Sequence, residues 1–182
     1  MKKAIGLLEF KSIARGMVAA DAMVKAAQVE LLQASPVCPG KFLVLVAGDV
    51  GSVQSSLETG ASAGEGVVID QFFLANVHEA VFPALTATSP VEPEGSLGIV
   101  ETFSAAAAVV AGDVAAKAAN VDLLEIRLAR GMGGKSFITM SGDVASVTFA
   151  VEAVEKAIAP EGMLVEKAVI PAPHRELWQQ LI

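Results

Sequence analysis

This chain repeats itself, and a repeat constrains its fold more than any single motif does. Residues Ile5–Val37 align without a gap on Leu97–Ala129. The shared frame is Gly6/Gly98, Glu9/Glu101, Ser12/Ser104, Asp21/Asp113, Lys25/Lys117, Val29/Val121 and Leu31-Leu32/Leu123-Leu124. The match resumes at Gly40-Lys41/Gly134-Lys135 and runs through Gly48-Asp49-Val50/Gly142-Asp143-Val144. Between these blocks the first copy reads Cys38-Pro39, and the second reads Arg130-Gly131-Met132-Gly133. Each copy must therefore close its own core within about ninety residues, which is small but sufficient. The single cysteine of the 182 residues sits in a loop where the copies differ in both length and sequence, which marks that loop as specialised.

Within a copy, Ala4–Phe10 reads as a short buried strand. Ala14–Ala27 has helix-forming composition, with Met17, Ala20, Met23 and Val24 at helical spacing. Val29–Ala34 suits a second strand, Pro36 with Pro39-Gly40 marks a turn, and Phe42–Val46 is a third strand. Asp49 is placed to cap a helix over Val50–Glu58. Gly60–Gly66 reads as a loop, Val67–Leu74 as a fourth strand and His78–Leu85 as a closing helix. The order β-α-β-β-α-β is that of a ferredoxin-like split βαβ unit, so the expected class is α+β with two such domains in tandem. The expected domains are 1–88 and 96–182, joined by a Pro- and Gly-containing linker over 89–95.

Composition excludes several functions. The net charge is −7 and there is no basic stripe to neutralise phosphates, so no nucleic-acid partner is expected. Aromatic residues are 5% with no Tyr, which leaves little for stacking on bases or sugars. Hydrophobic residues reach 53%, mostly Ala and Val, yet no apolar run approaches the roughly 20 residues of a membrane span. The apolar stretch after Met1-Lys2-Lys3 ends at Glu9, short of a secretory signal. With a lone cysteine, the expectation is a soluble protein of a reducing cytoplasm.

The motifs divide between chemistry and plain structure. Ala129–Ser136, A-R-G-M-G-G-K-S, satisfies a relaxed P-loop pattern with Lys135 as the phosphate lysine. A P-loop must feed a helix N-terminus, whereas Phe137-Ile138-Thr139-Met140 reads as a strand, so a tight loop is the better reading. His78 and His174 are repeat-equivalent and have no ligand cluster beside them in the sequence, so duplication explains the pair. Glu9 and Glu101 are read as structural hydrogen-bonding groups near the helix starts. No catalytic constellation can be assembled, and no enzyme is expected. Cys38 is either a small buried hydrophobe or, in a symmetric oligomer, one ligand per subunit.

At this point the residues carry a family likeness. A-I-G-L-L-E at Ala4–Glu9, A-D-A-M-V-K-A-A at Ala20–Ala27 and A-G-D-V at Ala47–Val50 resemble the bacterial microcompartment shell domain. So do L-G-I-V-E at Leu97–Glu101, K-A-A-N-V at Lys117–Val121 and S-G-D-V at Ser141–Val144. Both copies begin at the A-I-G-type strand, so neither looks circularly permuted. C-P-G-K at Cys38–Lys41, G-M-G-G-K at Gly131–Lys135 and the ending I-P-x-P-H further resemble the tandem-domain shell proteins of propanediol-utilisation compartments. The resemblance implies a homotrimer, a pseudohexameric tile of the shell alongside other shell proteins. It implies that Lys25, Lys117, His78 and His174 lie at the tile edge. It implies a central pore lined by Cys38, Pro39, Gly40, Arg130, Gly131, Met132 and Gly133. It also implies one [4Fe-4S] cluster per trimer, ligated by Cys38 of each subunit, with lumenal or cytosolic redox enzymes as partners. One departure stands out: Ala172 occupies the place between two prolines where the family usually has Arg, which bears on lateral assembly.

Three functions compete on this reading. The first is a shell tile whose cluster passes electrons across the shell or delivers clusters to enzymes inside. The second is a purely structural tile with a metabolite-conducting pore and no cluster. The third is a small-molecule-binding regulatory domain of the same fold. The lone thiol in a Pro/Gly loop separates the first from the second, and the duplicated lysines argue against the third.

Overall fold

The structure is a computed structural model that describes residues 3–90 and 94–181. Residues 91–93 of the expected linker, and the ends 1–2 and 182, lie outside the described residues. The chain forms two compact units: Met1–Val77 with Arg130–Gly134, and His78–Ala129 with Lys135–Ile182.

The first unit contains β1 (Ala4–Phe10), α1 (Ile13–Ala26), β2 (Glu30–Val37), β3 (Lys41–Gly48), α2 (Val50–Ala63) and β4 (Val68–Ala75). Its strands pair antiparallel in the order β2-β3-β1-β4. β1 lies inside the sheet, which is why its residues are almost all apolar and buried. Every second residue of β1, namely Ala4, Leu8 and Phe10, joins Met23 of α1 and Val53 and Leu57 of α2 in one core. Gly6 occupies the remaining place in that row, because a β-carbon there would lie 2.8 Å from Val53 Cγ1. Ser12 and Asp49 cap the two helices, accepting from the amides of Arg15 (3.4 Å) and Ser52 (3.0 Å).

Three elements differ from their sequence reading: the closing helix expected over His78–Leu85 forms only over Val81–Leu85, and two others are longer than expected. The expected loop at Gly60–Gly66 is helical up to Ala63. Gly60 is in α2 for packing and not as a helix breaker, since a β-carbon there would lie 2.6 Å from Met23 Sδ and 2.7 Å from Leu8 Cδ1. β2 runs beyond Ala34 to Val37 and includes Pro36, which an edge strand tolerates.

The second unit contains α3 (Val81–Leu85), β5 (Ser96–Thr102), α4 (Ala105–Ala118), β6 (Asp122–Arg127), β7 (Ser136–Gly142), α5 (Val144–Ile158), β8 (Leu164–Ile170) and α6 (Arg175–Leu181). Its sheet repeats the order as β6-β7-β5-β8. Ser104 and Asp143 repeat the caps, accepting from Ala107 N (3.1 Å) and from Ala145 N and Ser146 N (both 3.0 Å). The architecture expected from element order is thus the one observed: α+β, two ferredoxin-like domains, neither permuted. The segment 78–88 follows β4 in sequence but groups by contact with the second unit, where α3 packs on β6 and α4. Among the described residues no helix is long and apolar enough to cross a membrane.

Candidate functional site

The site is built on a hairpin end. β2 and β3 pair down to Val37↔Lys41, which leaves Cys38-Pro39-Gly40 as the turn. Val37 is buried and anchors that turn to its unit. Cys38 is a free, half-buried thiol, and Pro39 and Gly40 are exposed. In the second copy the corresponding connection is longer, from the end of β6 at Arg127 to Ser136. Leu128 and Ala129 are buried, and the Ala129 amide donates to Ser136 Oγ at 3.1 Å. Residues Arg130–Gly134 group with the first unit. Gly134 explains how the two segments meet. At φ +93, with its missing β-carbon 3.3 Å from the Cys38 carbonyl oxygen, it lets one backbone pass close to the other. Pro39, Cys38 and Gly134 are therefore brought together, with Arg130, Gly131, Met132 and Gly133 in the same connection.

β7 begins at Ser136, so the P-loop-like string runs into a strand and does not open a helix. Lys135 instead pairs with Glu101 at 2.7 Å, and its repeat equivalent Lys41 pairs with Glu9 at 3.1 Å. Both are cross-strand ion pairs on the diagonal of an antiparallel ladder. Glu9 and Glu101 are thus structural, although they brace neighbouring strands and not the helix starts.

Lys25 and Lys117 lie in the last turns of α1 and α4, where a cation suits the helix dipole. Each pairs with the aspartate one turn earlier, Lys25 with Asp21 at 2.6 Å and Lys117 with Asp113 at 2.7 Å. His78 and Lys117 meet at one carboxylate: Asp113 Oδ1 accepts from the His78 amide at 2.8 Å, while Oδ2 takes the lysine. His174 is largely exposed and lies 3.9 Å from Glu176. Its Nδ1 accepts from the Glu176 amide at 3.3 Å, as His78 Nδ1 accepts from the Ala80 amide at 3.3 Å. Asp113 is the functional-looking residue that motif reading passed over. Its signal was present, since both copies keep Asp four residues before Lys.

Two carboxylates titrate low. Hydrogen bonds from the Ser52 hydroxyl and then its amide hold Asp49 below the ordinary value of 3.8. The Ser146 hydroxyl and amide do the same for Asp143. Both are consequences of helix capping. Among the described residues no group of three His, Cys, Asp or Glu side chains is placed to hold a metal ion within one chain.

Comparison with known proteins gives a consistent set of likenesses. The model of the BMC domain family matches twice, at residues 4–77 and 96–173. The chain is 44% identical over 182 residues to the bacterial microcompartment shell protein PduT of Citrobacter freundii, covering 100% of this chain and 99% of that protein. A single copy resembles the carboxysome shell protein CsoS1A of Hydrogenovibrio crunogenus, at 37% over 86 residues, covering 46% of this chain and 90% of that protein. Among solved structures, a microcompartment protein from Desulfitobacterium hafniense DCB superposes with a TM-score of 0.96 at 53% identity, over 98% of this chain and 99% of that one.

Proposed function

We propose that this chain, which belongs to the BMC domain family and carries two of its domains in tandem, is a shell component of a bacterial microcompartment in the bacterial cytoplasm. Its full-length likeness to a shell protein and its structural likeness to a microcompartment protein support that reading. The role is structural and not catalytic. The finer reading is a homotrimer, six domains in a pseudohexameric tile, with one [4Fe-4S] cluster held on the threefold axis by three copies of Cys38. One observation carries it: the only thiol lies half-buried in a loop where the copies diverge, with Gly134 of the longer loop against its carbonyl.

The donor chemistry fits such a group. A cubane cluster has a threefold axis along its body diagonal, so three equivalent thiolates suit three of its irons. When bound, the cluster supplies one-electron transfer across the shell or a source of iron and sulfur for enzymes inside. The chain's own residues do the rest. Val37 fixes the base of each Cys38 turn, and Gly134 allows the Arg130–Gly133 segment to alternate with these turns around the pore. Lys25, Lys117, His78 and His174 serve the edge toward other shell proteins.

Anaerobic reconstitution with iron and sulfide tests the cluster. The wild-type chain should take up four irons per three chains, turn brown and give an EPR signal in one oxidation state. Cys38→Ser should lose iron and colour while keeping its oligomeric size. If both proteins bind the same iron, or neither binds any, the redox reading fails and a tile with a metabolite-conducting pore replaces it. For the edge, Lys25→Glu with Lys117→Glu should abolish sheets in electron micrographs and leave the oligomer intact. Loss of the oligomer itself would place these lysines elsewhere.

A further inference from the structure

The second copy departs from the first along one helix. α5 exposes Ala145, Phe149, Glu152 and Lys156, and the matching residues of α2, also exposed, are Gly51, Ser55, Glu58 and Ser62. Alternate steps of four and three residues place each set in one row along its helix. The row on α2 is small and polar. The row on α5 carries an aromatic ring, Phe149, that is 56% exposed, and a lysine beyond it. Leaving that ring in water forgoes the gain of burying it, a loss that Ser55 does not incur.

Beside this row lies a groove. Thr148, Val151 and Glu152 of α5 and Lys167, Ala168 and Val169 of β8 line an open cavity of about 130 Å³. The first copy has larger side chains at two of these places. Val169 pairs with Gly98 in the ladder, and its counterpart Phe73 pairs with Gly6. Phe73 packs against the core that includes Leu57, the counterpart of Val151. Valine in place of Phe73 and of Leu57 withdraws an aromatic ring and a methylene, and the groove is what remains. The Thr148 hydroxyl is turned back on the Val144 carbonyl at 2.6 Å, and Lys167 is engaged by Glu155. The walls of Val151, Ala168 and Val169 are thus left to receive an apolar group.

We infer that two copies of this chain pair through α5 about a two-fold axis, each seating Phe149 in the α5–β8 groove of the other. The occupant is a second copy for three reasons. The groove lacks one aromatic ring relative to the first copy, and Phe149 is one exposed ring. Knob and groove lie side by side on one element, as a self-complementary contact requires. The first copy has neither the knob nor the residues that open the groove. Charge agrees with this arrangement: antiparallel helices crossing between Phe149 and Glu152 bring the exposed Lys156 of each toward the exposed Asp143 of the other. The contact does not depend on a ring of three. A ring closes through heterologous contacts, whereas a two-fold contact joins a chain of one ring to a chain of another.

A cysteine pair tests the geometry. Ala145 and Lys156 stand three turns apart on α5, roughly 16 Å, too far for a disulfide within one chain. In a Cys38→Ser background, Ala145→Cys with Lys156→Cys should oxidise to covalent dimers on a non-reducing gel and to nothing larger. Phe149→Ser and, separately, Val169→Phe restore the residues of the first copy. Each should weaken the dimer band about tenfold or more, as loss of a buried aromatic anchor does. The far-ultraviolet circular dichroism spectrum should stay unchanged in both. In light scattering without added cysteines, the particle mass should fall by half or more in either variant. Dimers that survive both substitutions overturn the seating of Phe149. Bands beyond two overturn the two-fold axis. No covalent product, or a wild-type mass equal to that of Phe149→Ser, overturns the pairing altogether.

Discussion

Gly40 and Gly134 are repeat-equivalent, and both sit at positive φ (+72 and +93), yet they carry different constraints. A β-carbon at Gly40 meets nothing within 4 Å, while one at Gly134 meets the Cys38 carbonyl oxygen. Gly40→Ala should cost about 1–2 kcal/mol, the ordinary penalty of an L-residue in left-handed backbone. Gly134→Ala should cost more, because backbone and not a pliable side chain stands in the way; urea unfolding of the two variants gives the comparison. The caps lead to a pH expectation. Asp49 and Asp143 titrate below 3.8 when folded, so the stability they contribute is fully present above that value. It is lost as pH falls through 3.8 toward their lowered folded values. Asp49→Asn with Asp143→Asn should therefore flatten the acid limb of a Tm–pH profile and leave its shape near neutrality unchanged. The caps were legible in the sequence because a cap is a local event. The approach of Gly134 to Cys38 was not, because the two lie far apart in the chain and only the folded loop joins them.

At the scale of elements, α2 shows where local reading fails. Gly60 looks like a breaker, and intrinsic propensity favours Ala there by roughly 1 kcal/mol. Packing opposes it, since the missing side chain is the space that Met23 Sδ and Leu8 Cδ1 occupy. Overpacking a core costs about 1–3 kcal/mol, so packing should win and Gly60→Ala should lower the midpoint of denaturation. Met23→Ala, which clears the space, should make the same substitution at Gly60 much less harmful, and a double-mutant cycle measures that coupling. The strands were legible from their apolar runs, and β2 was read short only because Pro36 looked like an end. The uneven burial of α1 and α4 was not legible at all: Asp, Lys and Leu stand at matching positions in both copies, and the difference lies in what packs on them.

At the scale of the molecule, the compact units do not coincide with the halves of the sequence. The first takes in Arg130–Gly134 from the second copy, and the second takes in the segment from His78 onward, including α3. A protease cut within 89–95 should therefore leave both fragments eluting together in native size-exclusion chromatography, to separate only in denaturant. Two fragments that part under native conditions would mean that these borrowed segments hold little. There is a consequence for inheritance. Duplicated genes commonly drift apart once they can be carried separately, but fission at this duplication boundary would deprive each product of a piece of its own body. The two copies are thereby kept in a single reading frame, free to diverge from one another but not to part.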